Sequence, residues 1–128
     1  QKVEYDGIKF DSKLEAARYK ILKGKEEDGE IEQVEVQVPY HCVVEGKKIC
    51  KYIADFRYWC KDQYVVEDTK GIVTQIFSLK KKLVEALHPG VIVHVIKDPR
   101  EWPARTVSDP HPSHAQLRTQ HQSSPECD

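Results

Sequence analysis

The sequence predicts an α/β domain of the α+β kind, in the order αβββαβ, with a mixed central sheet flanked by two helices. Three observations carry this. Two segments repeat apolar residues at helical spacing behind a capping residue, the runs between them alternate every second residue, and a β-branched run, "VIVHVI", follows the second helix.

The first helix is expected in "FDSKLEAARYKILKGK", starting at Ser12 with Glu15 three residues on, and stopping at Gly24. Its apolar arc holds Leu14, Ala17, Tyr19, Ile21 and Leu22, and at about 100° per residue Glu15 and Arg18 fall inside that arc. "EIEQVEVQV" alternates from Ile31 to Val38 as a strand does. "YHCVVEGKKICKYIADFRYW" reads as two strands joined at Glu45-Gly46-Lys47, and "QYVVEDTKG" as a short strand closed by Gly71. A second helix is expected in "TQIFSLKKKLVEALHPG", from Thr74 to Pro89-Gly90, with Ile76, Leu79, Leu83, Val84 and Leu87 inward and Lys80 among them. "VIVHVI" suits a buried strand.

At 128 residues the chain fits one domain with a modest core. Composition changes near residue 97, so 1–96 is expected to be the domain and 97–128, rich in Pro, Ser and His, a mostly irregular tail that Trp102 pins back at its start. Lysine and arginine number 20 against 21 acidic residues, so no overall positive field draws the chain to nucleic acid or anionic membrane. Any polyanion must meet a local patch, for which Lys47, Lys48 and Lys51 in the hairpin and Lys80, Lys81 and Lys82 on the second helix are available. No apolar run reaches the ~18 residues of a membrane span and no signal segment opens the chain, which is expected to be soluble and cytoplasmic. With no Met and Gln1 at its head, it is expected to continue upstream. The cysteines, Cys42, Cys50, Cys60 and Cys127, show no zinc-type spacing and are expected as free thiols. His111, His114 and His121 lie in the tail without a metal-binding pattern.

Two strands end on charge that a packed sheet does not need: Asp55 on one, Asp68 and Lys70 on the next. Alternation gives Asp68 and Lys70 one face and Glu67 and Thr69 the other. If the strands pair, Asp55 comes beside Asp68, and two carboxylates so close repel unless one keeps a proton or a cation sits between them. Mg²⁺ takes a few hard carboxylate oxygens and keeps waters. Four inward charged groups, Glu15, Arg18, Asp55 and Lys80, are explained together by one polar site in which they neutralise one another.

An Asp, about a dozen residues, and D-x-K on the next strand, with a Glu on a preceding helix, resembles the PD-(D/E)XK nuclease superfamily. Ala54 stands where proline is nominal. The segments "EYDGIKFDSKLEAARY", "YIADF", "VVEDTKG" and "FSLKKKL" further resemble a family of short phage and prophage proteins catalogued as a domain of unknown function, over about Val3 to Ile96. The resemblance implies a restriction-endonuclease-like core and metal-dependent cleavage of DNA by an endonuclease, with branched or recombination intermediates of a phage as substrates by analogy. It implies that Asp55 and Asp68 hold Mg²⁺ or Mn²⁺ with the Thr69 carbonyl and Glu15 as further ligands, and that Lys70 orients or activates the attacking water. Arg18, Lys80, Lys82, Lys47 and Lys48 are then expected to meet DNA. DNA and a second copy of the chain are the partners this reading invites, in the host cytoplasm if the chain is phage-encoded. The competing expectations are a non-catalytic DNA-binding or adaptor module that keeps the nuclease fold, and an α/β protein whose charges are incidental.

Overall fold

A computed structural model describes residues 2–103. It is a mixed α+β fold with two helices and a four-stranded mixed sheet, compatible with a restriction-endonuclease-like core.

Before the first helix lies a hairpin that the periodicity did not reveal: β1 (Val3–Tyr5) pairs antiparallel with β2 (Ile8–Phe10). Asp6 and Gly7 join them at φ 63° and 78°, the left-handed pair that a two-residue hairpin turn requires. Helix α1 (Lys13–Glu27) starts as expected, with the Ser12 hydroxyl accepting from the Glu15 backbone N–H at 3.1 Å. It runs through Gly24 and stops instead at Gly29, where φ is 81°. The Gly29 N–H reaches the Glu26 carbonyl and the Glu30 N–H reaches the Lys25 carbonyl, both at 3.0 Å, so the orphan carbonyls of the last turn are satisfied by a Schellman motif.

The two strands expected on either side of Pro39 are one, β3 (Glu32–Val44), paired with β4 (Lys47–Cys60) about the Glu45-Gly46 turn. Pro39 is tolerated because β3 is an edge strand, where a missing N–H costs no ladder bond. Strand β5 (Gln63–Thr69) pairs antiparallel with β4, and helix α2 (Gln75–Leu87) carries the chain back to β6 (Val93–Ile96), parallel to β5. Among the described residues no helix is long and apolar enough to cross a membrane.

The sheet divides two cores. Ala16, Tyr19 and Leu22 of α1 pack with Phe56, Tyr58 and Val65; Phe77 and Val84 of α2 pack with Tyr52, Ala54, Val66 and Val93. Residues 54 and 56 should share a face by strict alternation, yet they belong to opposite cores. So do Val36 and Val38 across from them. The change of face falls at Gln37, whose φ is 53°, and at its neighbour Asp55.

Helix α2 departs from its expected arc. Phe77 and Val84 are buried and Leu83 and Leu87 pack partly, but Ile76 and Leu79 are 66% and 60% exposed. Of the thiols expected free, Cys42 and Cys50 are, Cys60 is disulfide-bonded, and Cys127 lies outside the described residues, as do the tail histidines.

Candidate metal centre

The register brings the two aspartates together. Ladder pairing of β4 with β5 runs from Cys60↔Gln63 to Phe56↔Glu67, and the next pair in sequence is Asp55 and Asp68. The ladder stops there, and the Asp55 side chain takes its place: Oδ2 accepts from both the Thr69 backbone N–H and the Thr69 hydroxyl, each at 2.8 Å. Beyond the gap β5 stays anchored, because the Lys70 N–H donates to the Ile96 carbonyl at 3.0 Å.

Three carboxyls meet at this gap. Asp68, 2% exposed, is pushed up to about 8 by burial first, then by the charge of Asp55 and a carboxyl–carboxyl hydrogen bond to it; the Tyr52 hydroxyl and Lys70 pull the other way. Glu15, 3% exposed, is raised to about 7 by burial first and then by Asp55. It comes from the first turn of α1 and is held there, since its Oε1 accepts from the Asp11 N–H at 3.0 Å. That arm of the capping box therefore closes on Asp11, one residue ahead of the cap. The Tyr52 hydroxyl donates to Asp68 Oδ2, and burial with the charge of Asp68 keeps that phenol protonated well above its usual range. The Lys70 ammonium lies 3.6 Å from Asp68 Oδ1 and 4.8 Å from the centre of the Phe77 ring.

The cluster thus unites Glu15, Asp55, Asp68, Thr69 and Lys70. Its donors are hard carboxylate oxygens, the chemistry Mg²⁺ and Mn²⁺ prefer, and Mg²⁺ is commonly held by one or two carboxylates with waters completing its shell. Among the described residues no three His, Cys, Asp or Glu side chains form a ready cage. The fit is to an open, water-completed site. Thr69 was expected to offer its carbonyl; the contacts it makes are through its N–H and hydroxyl, to Asp55.

The other expected residues lie elsewhere. Arg18 has no exposed surface: Nε and NH2 donate to the two oxygens of Glu67 at 2.7 and 2.5 Å, and NH1 to the Pro99 and Glu101 carbonyls at 2.8 and 2.6 Å. Trp102 stacks on the guanidinium at 4.6 Å, and Tyr58 donates to Glu67. This buried clasp offers nothing to a phosphate, which corrects the expectation for Arg18. Lys80 is half-buried near Cys42, close enough to act on that thiol. Lys47 and Lys48 are exposed at the hairpin tip, eight and seven residues along β4 from Asp55 and so roughly 25 Å away at ~3.3 Å per residue. Lys82 is exposed on α2.

Glu67, Tyr52 and Tyr58 escaped the sequence reading. A signal existed for Glu67: an inward arginine on α1 needs a buried carboxylate, and Glu67 sits on the face of β5 opposite Asp68.

Residues 1–101 match the model of the family described as Protein of unknown function (DUF1064). The chain belongs to this family. The match spans every strand, both helices and every residue of the carboxyl cluster. No curated protein and no solved structure matches the chain.

Proposed function

We propose that this DUF1064 chain is a metal-dependent DNA endonuclease of the PD-(D/E)XK type, working in the cytoplasm. The observation that carries the reading is the break in the β4–β5 ladder at Asp55, which gathers two buried carboxyls, Glu15 and Asp68, and the half-buried Asp55 beside one lysine. Such a cluster is costly to keep charged without a cation, and it is more than the fold needs.

In this reading Asp55 and Asp68 would hold Mg²⁺ or Mn²⁺, which when bound would supply Lewis-acid polarisation of the scissile phosphate and a more acidic water. Thr69 fixes the Asp55 carboxylate through two hydrogen bonds, and Tyr52 fixes Asp68. Lys70, one-third exposed beside Asp68, orients the attacking water and offsets charge developing on the phosphate. Glu15, raised to about 7 and so about half protonated at pH 7, would hold a water of the metal shell or pass a proton. The domain through residue 96 balances 16 basic against 16 acidic side chains, so DNA affinity rests on a local patch and pairing with a second copy would enlarge the footprint.

The test is a panel of linear duplex, single-stranded, nicked, flapped and four-way DNA incubated with Mn²⁺, beside Asp68→Asn. Cleavage by the parental protein and its loss by orders of magnitude in the variant is the expected result. Equal cutting by both proteins sinks the assignment of the site, and a gel shift without cutting points to a binding module instead.

A further inference from the structure

Segment 70–84, "KGIVTQIFSLKKKLV", holds four lysines and no acidic residue in a chain whose net charge is −1. It also holds an exposed apolar stripe: Ile72 is 78% exposed, Val73 41%, Ile76 66% and Leu79 60%. The stripe begins two residues after Lys70. Its helix abuts the carboxyl cluster, since Phe77 touches the Lys70 ammonium and stands 6.2 Å, ring to ring, from Tyr52, the tyrosine that bonds Asp68. Lys81 is bridged to Glu85 at 2.8 Å and Lys70 to Asp68 at 3.6 Å, which leaves the half-buried Lys80 and the exposed Lys82 to set the field of this face.

We infer that this face binds DNA whose bases are unstacked at a fork or branch, with lysines on phosphates and Ile72, Val73, Ile76 and Leu79 against the opened bases. The inference rests on the nuclease reading above and deepens it. Continuous duplex keeps its base faces stacked, so a stripe of aliphatic side chains reaches them only after a cost of about a few kcal/mol per unstacked step, a cost already met at a fork. Opened base steps present apolar faces, and Ile and Leu wedges are a recurrent means of holding them apart. The lysine excess singles out a polyanion over a neutral protein surface. Four side chains also fall well short of the about 20 to 30 residues a side in a stable dimer.

The experiment compares the full chain with an Ile72→Ser/Ile76→Ser/Leu79→Ser variant. The changes are on exposed positions, so the fold is expected to survive, as circular dichroism checks. Binding in EDTA is read by anisotropy on duplex and forked DNA of equal length, with 2-aminopurine at the fork; cleavage of both is read in Mn²⁺. The parental protein should bind the fork about tenfold more tightly than duplex, equal to ~1.4 kcal/mol, with a 2-aminopurine signal of unstacking. The variant should lose that preference and signal. A parental protein without fork preference, or a variant that keeps it, overturns the inference. So does a variant whose fork preference stands while it loses self-association in sedimentation or binding to anionic phospholipid vesicles. Because the binding arm needs no cleavage, absence of cutting by the parental protein counts against the nuclease reading alone.

Discussion

Replacing Asp68 by Asn removes a charge that the folded chain holds at a cost, and the size of that cost follows from its surroundings. Asp68 is raised from an ordinary 3.8 to about 8. The folded state therefore keeps its proton more tightly than the unfolded state. Between about pH 4 and 8 it carries the extra proton, and stability falls as pH climbs through that window. At about 1.4 kcal/mol per unit, the ~4-unit rise caps the penalty above pH 8 at ~5 kcal/mol. Relaxation of the site around the charged carboxylate recovers part of this, so Asp68→Asn is expected to gain ~2 to 3 kcal/mol at pH 9. For a domain of about 100 residues that raises Tm by roughly 10 °C. The Asn amide oxygen still accepts from Tyr52, so no buried hydroxyl is orphaned. Urea melts at pH 4.5 and 9 are the assay. At pH 4.5 the difference should shrink to ~1 kcal/mol or less. A variant no more stable at pH 9, or equally favoured at both values, refutes the argument that burial and Asp55 burden this carboxyl.

Thermal melts with Mn²⁺ should show the parental protein gaining ~2.7 kcal/mol when the ion reaches a hundredfold excess over Kd, while Asp55→Asn and Asp68→Asn gain far less. Lys70→Met should abolish cleavage with little change in Tm, since a partly exposed bridge at 3.6 Å adds at most ~1 kcal/mol. Arg18→Met leaves the Glu67 carboxylate buried without its cation, a loss of ~3 to 5 kcal/mol in urea melts, and adding Glu67→Gln should restore much of it. Gly29→Ala should cost ~1 kcal/mol, because φ is 81° there.

Much of the centre is legible in the sequence because its logic is local. Ser12 and Glu15 announce a helix start, and the inward arc already contains Glu15 and Arg18. Alternation relates Asp68 to Lys70. What escaped depends on contacts distant in sequence or on short elements. Strands of three residues give no period, so only Asp6-Gly7 marked the first hairpin. Gly24 looked like a stop, but an isolated glycine is tolerated inside a helix, and the positive φ that ends this one is at Gly29. Ile76 and Leu79 misled because helical periodicity reports an apolar face without saying what covers it. The change of core at Gln37 and Asp55 breaks strict alternation, which no pattern of period two can foresee.

Pro99 and Glu101 lend their carbonyls to the arginine of the first helix, and Trp102 lies over it. Trimming the chain at residue 96, where the composition turns, would therefore strip two acceptors and an aromatic lid from a cation sealed in the interior, and what remained would be prone to aggregate. A segment that keeps this clasp whole ends no earlier than Trp102. Anything fused or inserted downstream begins from a point stapled to the helix that carries Glu15, so a pull on that end acts on the element that supplies one carboxyl of the cluster.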